Sequence, residues 1–264
     1  MDTIEAIILG IVQGLTEFLP VSSSGHLQIA KALMGVEIEQ NLLFDVTLHA
    51  ATVLSTIVVL WSEVARLLRG LFSRRFNEEQ AYVLKLLLSM IPIGIVGFTL
   101  KDRLDALLES PAILLVVGCM LLVTAALLAF AYYAKPRQKA QLSYRDAFLI
   151  GVAQAVAALP GLSRSGSTIT TGLLLGNRKQ TVAQFSFLMV LAPILGETFL
   201  ELMKGNLGAQ VIGSAPLAAG FVAAFVVGCL ACKFMIEIVK RGKLVWFALY
   251  CAAAGTVSIL SYVL

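Results

Sequence analysis

AIILGIVQGLTEFLPVSSSGHLQIAKALMG, residues 6–35, and AFLIGVAQAVAALPGLSRSGSTITTGLLLG, residues 147–176, are one stretch written twice. They align without a gap at a constant offset of 141, and eight of the thirty positions are identical. The identities include Gly10/Gly151, Gln13/Gln154, Ser22/Ser163, Ser24/Ser165, Gly25/Gly166 and Gly35/Gly176, so turn chemistry is repeated and not merely apolar periodicity. Each copy reads as a short apolar helix, a break at Leu19-Pro20 or Leu159-Pro160-Gly161, a Ser/Gly-rich turn and a second short helix. Proline removes a backbone donor and stops the helix, which makes each copy a re-entrant helix hairpin. Irregular backbone at membrane depth is tolerated only where it is buried in protein or lines an aqueous cavity, so both turns are expected at a cavity.

The rest of the chain supplies the membrane context. Of its 264 residues, 59% are hydrophobic and 14% charged, with a mean hydropathy of +0.89. Such a composition excludes a soluble domain and implies a polytopic integral membrane protein. The net charge is only +4 and its excess sits in a few loops, which argues against a nucleic-acid partner. Cys119, Cys229, Cys232 and Cys251 all fall in apolar stretches, where packing is expected rather than a disulfide framework. The N-terminus lacks the basic region and cleavage site of a signal peptide, so no processing is expected.

Six further segments are long enough to span: roughly 42–61, 82–100, 111–134, 183–203, 216–238 and 244–263. Three spans after each hairpin would place the second repeat upside down in the membrane. The loops then divide by charge. One side receives Arg66, Arg69, Arg74, Arg75, Lys135, Arg137, Lys139, Arg145, Arg178, Lys179, Lys240, Arg241 and Lys243; the other receives Lys101, Arg103, Lys204 and Lys31. Thirteen against four makes the first side cytoplasmic and sends both termini outward. The expected fold is an all-α integral membrane protein: six transmembrane helices plus two re-entrant helix hairpins in an inverted-topology repeat. It is one membrane domain over 1–264, with repeat 1 at about 1–134 and repeat 2 at about 143–264.

The polar residues decide what such an architecture is for. Gln13 and Glu17 lie four apart, on one helix face just before the Pro20 break. A carboxylate in an apolar segment is costly and points to function, a structural ion pair being the alternative. Ser22, Ser23, Ser24, Gly25 and His26 follow, hydroxyls at the start of a helix whose free N–H groups favour an anion, although serines there also serve as plain caps. In the second copy Arg164 stands where the first has Ser23, among Ser163, Ser165, Ser167 and Thr168. A guanidinium fork matches phosphate oxygens, and with the hydroxyls and helix amides it would complete a phosphate cradle. Alternatively Arg164 neutralises Glu17, and the two readings are compatible.

These strings, QGLTEFLPVSSSGH (Gln13 to His26) and PGLSRSGST (Pro160 to Thr168), resemble those of undecaprenyl-diphosphate phosphatases of the bacitracin-resistance type. The resemblance runs over essentially the whole chain. Two positions depart from the family pattern: Gln13 stands where Glu is frequent, which leaves Glu17 as the indispensable carboxylate, and His49 replaces an uncharged polar residue. The resemblance implies removal of the terminal phosphate from undecaprenyl diphosphate, at the outer face of the bacterial inner membrane. The product is the monophosphate lipid carrier used for peptidoglycan and other envelope polymers.

That chemistry needs charge stabilisation, an activated nucleophile and a proton for the departing oxygen. Arg164 would clamp the phosphoryl group, with Ser163, Ser165, Thr168 and turn amides donating to it and Gln13, Ser22 and Ser24 completing the substrate site. Ser23 is the expected nucleophile, three residues before His26, which would deprotonate it or protonate the leaving group. Glu17 would orient His26, activate water directly, or hold a divalent cation, Mg²⁺ or Ca²⁺, carried mainly by the substrate phosphates. Asp45, His49 and Glu197 are expected to be structural or supporting. The partners are a polyprenyl diphosphate lipid and the membrane, and a homodimer is compatible with the sequence. A lipid-phosphate transporter would share the cradle, yet it does not need Ser23, His26 and Glu17 together. A type-2 phosphatidic acid phosphatase would need a further His after Arg164, and both histidines, His26 and His49, precede it.

Overall fold

The computed structural model describes residues 1–36, 42–133, 139, 141–196 and 213–263. Within them the protein is all-α, and the only strand-like pairing is a single bridge between Lys139 and Asn177. In chain order the helices are α1 (Thr3–Phe18), α2 (Ser23–Met34), α3 (Leu42–Val59), α4 (Trp61–Leu71), α5 (Glu78–Thr99) and α6 (Lys101–Leu108). They continue with α7 (Ile113–Tyr133), α8 (Tyr144–Val156), α9 (Arg164–Leu174), α10 (Lys179–Met189), α11 (Ser214–Arg241) and α12 (Val245–Val263).

Four helices, α5, α7, α11 and α12, are long and apolar enough to cross a membrane, and α3 with α4 adds a fifth when read as one bent span. This is a multi-pass membrane protein. The segment expected to span 42–61 stops at Val59, where the chain turns through 80° into α4. There Trp61, Leu67 and Leu68 alternate with Glu63, Arg66 and Arg69, and so amphipathic a helix is better placed along an interface than through hydrocarbon. Of the segment expected at 183–203, α10 ends at Met189 and residues 191–196 are helical. The remainder, with Glu197, lies outside the described residues, as do Lys135, Arg137 and Lys204.

The repeated pieces fold alike for the same local reasons. α1 has 16 residues and α8 has 13, about 24 and 20 Å of helix against a hydrocarbon core of about 30 Å. A capping box between Asp2 and Glu5 starts α1, and Ser143 caps α8. After each break, a repeated serine caps the next helix: Ser22 Oγ accepts from Gly25 N at 3.3 Å and Ser163 Oγ from Gly166 N at 3.0 Å.

Packing crosses between the halves of the chain. α1 lies along α11 and α8 along α5, so each short helix rests on a long helix from the other half. The repeated glycines permit this approach: a Cβ on Gly10 would stand 2.5 Å from the Gly220 carbonyl oxygen, and one on Gly151 would overlap the Ser89 carbonyl. Small residues at helix crossings are how membrane helices gain close packing without a hydrophobic drive between them. α7 pairs with α12, where Ser258 Oγ donates to the Leu114 carbonyl at 2.8 Å. Phe18 and Val21 of the first break share one apolar cluster with Val117 and Leu121 of α7, Ile169 of α9, Phe187 of α10 and Cys251 of α12. Both turns thus stand on a common floor. The four cysteines are free thiols, as their apolar settings suggested.

Lys31, expected as a loop charge, is instead buried, 1% exposed, and its ammonium bonds both Asp45 carboxylate oxygens at 2.8 and 2.9 Å. A lone ammonium in hydrocarbon is costly, and Asp45, one helix away, neutralises it. The structural role expected for Asp45 is thereby specific: it ties α3 to α2.

Candidate active site

The two turns meet. Ser165 Oγ, on the second turn, donates to the Leu19 carbonyl of the first at 3.1 Å, and Gly25 is close enough to Gly161 that a Cβ would stand 3.1 Å from its Cα. Between them opens a small cavity of about 20 Å³ lined by Thr16, Glu17, Ser22, Ser23, Ser24, Ala157, Leu162, Ser163, Arg164 and Ser165. Ten residues from two stretches 141 apart in sequence therefore build one chamber.

Glu17 is its hub. Its side chain is 5% exposed, and Arg164, 25% exposed, donates from Nη2 to Oε1 at 2.8 Å. The other oxygen, Oε2, accepts from Ser23 Oγ at 2.6 Å and from Gln13 Nε2 at 3.0 Å. A buried carboxylate is tolerable when its charge is paired and its lone pairs are filled, and here both conditions hold. His49, on α3, lies within electrostatic reach of the same carboxylate. The Arg164–Glu17 pair and the expected cradle coexist: Arg164, Ser163, Ser165 and the N-terminus of α9 still face the chamber.

α7 braces the second turn. Thr124 Oγ1 accepts from Ser163 N at 3.1 Å and donates to the carbonyls of Met120 and Gly161. Sequence reading missed Thr124, a single hydroxyl in an otherwise apolar span. It also missed Thr16, which lines the chamber beside Glu17.

Three expectations are corrected. His26 does not meet Ser23: its Nδ1 bonds the Ser22 carbonyl at 2.8 Å and its Nε2 the Tyr250 hydroxyl at 2.7 Å. The partner of Ser23 is Glu17, because Ser23 opens α2 facing back along α1 while the His26 ring points toward α12. Thr168 does not line the chamber; it is 1% exposed and its hydroxyl donates back to the Arg164 and Ser165 carbonyls at 2.9 and 3.3 Å, the usual habit of a helical threonine. Gln13, fully buried, stands behind Glu17 rather than in the chamber, and orients it. Ser22, Ser24, Ser163 and Ser165 do line it, the first and third also as caps.

Among the described residues no group of three or more His, Cys, Asp or Glu side chains converges as a metal cage. The oxygen donors present nevertheless suit a hard cation supplied with substrate. Glu17 stands at the chamber wall with the hydroxyls of Ser22, Ser23 and Ser24, whereas the amide oxygen of Gln13, buried without a hydrogen-bond partner, lies behind that wall.

The comparison with known proteins bears on this geometry directly. Residues 6–257 match the family described as Bacitracin resistance protein BacA. The chain belongs to that family. Relatives are similar along their entire length. A Parabacteroides distasonis protein is 63% identical over 262 residues, 98% of each chain, and one from Bacteroides fragilis is 61% identical over 262 residues, again 98% of each. A third, from Bacteroides thetaiotaomicron, is 58% identical over 264 residues, 99% of each. All three carry the name undecaprenyl-diphosphatase. The match contains both broken helices and the helices that hold them, so no part of the site described above lies outside the shared region.

Proposed function

We propose that this BacA-family protein hydrolyses undecaprenyl diphosphate to undecaprenyl phosphate and inorganic phosphate, recycling the lipid carrier of envelope synthesis and so giving bacitracin resistance. The observation that carries the reading is the chamber in which a hydroxyl, a carboxylate and a guanidinium are already hydrogen-bonded in series: Ser23 to Glu17 to Arg164. The name shared by the full-length relatives supports the substrate.

Each group has a task in that reaction. Arg164 releases part of its hold on Glu17 to bind the terminal phosphoryl oxygens. Ser163, Ser165 and the α9 amides donate to the same oxygens, which gather charge as the bond to the leaving group stretches. Glu17 takes the proton of Ser23, already 2.6 Å away, as Ser23 Oγ attacks the terminal phosphorus. The P–O bond to the bridging oxygen breaks, and Glu17 passes the proton it took to an oxygen of the departing undecaprenyl phosphate, so that it is a carboxylate again. Glu17 then takes a proton from water as the water oxygen attacks the phosphoserine; the bond from phosphorus to Ser23 Oγ breaks, Glu17 returns that proton to the serine oxygen, and inorganic phosphate leaves. A general base so placed contributes about 10²–10⁴-fold. A divalent cation, Mg²⁺ or Ca²⁺, would be held by Glu17 together with substrate oxygens, and would supply neutralisation of the diphosphate charge.

The protein sits in the bacterial inner membrane with both termini outward and the chamber open to the outer face. The clustering of Lys and Arg in the opposite loops supports that orientation. Six spans with two re-entrant hairpins in inverted repeat remain the reading of the topology, supported by the crosswise packing of α1 on α11 and α8 on α5. Substrate labelled in its terminal phosphate and quenched with acid during turnover is expected to leave label on Ser23. Phosphate release with no label on Ser23 at any time would replace this step by direct attack of Glu17-activated water.

A further inference from the structure

Ser22 is, among the described residues, the one non-glycine with positive φ, at φ 72° and ψ 100°. A side chain in such a region costs about 1–3 kcal/mol and persists only where the surroundings over-determine it. The second turn avoids the cost: its positive φ, 91°, falls on Gly161, and Ser163, the counterpart of Ser22, has φ −70°. Strain is therefore confined to the first turn, one residue before the Ser23 hydroxyl.

Something must hold the Ser22 peptide there, and its carbonyl shows what does. It accepts from the His26 backbone N–H at 3.1 Å and from His26 Nδ1 at 2.8 Å. A carbonyl oxygen only accepts, so Nδ1 carries the ring proton, and in the neutral ring Nε2 is left as an acceptor. The Tyr250 hydroxyl, 2.7 Å from Nε2, then donates to it, and the two rings stack with centroids 5.5 Å apart at 19°. Both ring nitrogens are engaged, and neither faces Ser23. At the repeated position where the turn is unstrained, the residue is Ser167 and there is no ring.

We propose that Tyr250 and His26 form a strut that holds the strained Ser22 peptide and thereby keeps the Ser23 hydroxyl on Glu17. Both are positioning residues of the hydrolysis, and His26 takes no proton from Ser23. The kinetic part of this inference rests on the phosphatase reading above; the state of the ring does not.

Two measurements test it. In His49→Gln protein, which retains one imidazole, ¹⁵N NMR of the His26 ring is expected to show a protonated Nδ1 and a bare, hydrogen-bonded Nε2 whose resonance moves on Tyr250→Phe. A protonated Nε2, in the other tautomer or in an imidazolium, would overturn the strut. In kinetics, Tyr250→Phe is expected to lower kcat about tenfold, the worth of one hydrogen bond, with KM and both limbs of the pH–rate profile unchanged. His26→Asn, whose amide nitrogen replaces Nδ1, is expected to recover most of what His26→Ala loses. Equal loss in Asn and Ala variants, or disappearance of a limb of the pH profile, would make His26 an acid or base and sink the proposal. Absence of hydrolysis by wild-type protein with the expected ring tautomer would instead count against the phosphatase reading.

Discussion

Removing Arg164 should strand the Glu17 carboxylate, removing Glu17 should strand the guanidinium, and removing both should cost less than the sum. The contact is 2.8 Å between Nη2 and Oε1, with the carboxylate 5% and the guanidinium 25% exposed. At an effective dielectric of about 20, unit charges at that separation attract by about 6 kcal/mol. Desolvation of both ions, and water reaching the guanidinium, offset most of this, so a coupling of about 2–3 kcal/mol is expected. Each single substitution to Ala should destabilise by about 3–5 kcal/mol, because it leaves an uncompensated charge. The assay is a double-mutant cycle in detergent, following unfolding by tryptophan fluorescence, with phosphate release measured on the same four proteins. Stability should be partly restored in the double variant while hydrolysis stays at background in all three. Additivity within about 0.5 kcal/mol would refute the electrostatic argument. Return of hydrolysis with stability would mean that the pair only neutralises itself.

Gly10→Ala and Gly151→Ala should each lower folded yield, since the added Cβ meets the carbonyl of Gly220 or of Ser89 and separates a short helix from its long neighbour; about 1–3 kcal/mol is expected for such overpacking, read by thermal unfolding. Gln13→Leu removes the Nε2 donor from Glu17 and the buried amide oxygen together. It should slow hydrolysis about tenfold, measured by phosphate release, because Glu17 Oε2 loses one of the two donors that orient it. A cysteine placed at Asp2 should react with a membrane-impermeant maleimide in intact spheroplasts, and one at Arg74 only after lysis; the reverse pattern would invert the topology.

What was legible in the sequence is what depends on short-range chemistry. Leu19-Pro20 and Leu159-Pro160-Gly161 break helices wherever they occur, and Ser22 and Ser163 cap whatever helix follows them. The repeat itself argued that the two turns belong together, and the Glu17–Arg164 pair follows because a lone carboxylate and a lone guanidinium in apolar stretches need each other. What escaped depends on the direction in which a side chain points. His26 lies three residues from Ser23, and spacing alone suggested a catalytic pair; its partner, Tyr250, is 224 residues away in a span with no motif. Thr168 reads as a donor to substrate until its hydroxyl is found bonded within its own helix. Lys31 counts as a loop charge until Asp45 is found beside it, and nothing in the apolar run 42–61 marks the bend after Val59. The strain at Ser22 has no sequence signal, since serine gives no hint of a positive φ.

The central claim is that Glu17 and Arg164, brought together from the two repeats, hydrolyse a lipid diphosphate. Phosphate release from undecaprenyl diphosphate by the purified protein, beside Glu17→Ala and Arg164→Ala, tests it most directly. Release by the wild type, lost in both variants, is the predicted result. A folded wild type that binds the lipid in an Arg164-dependent way and releases no phosphate would contradict it.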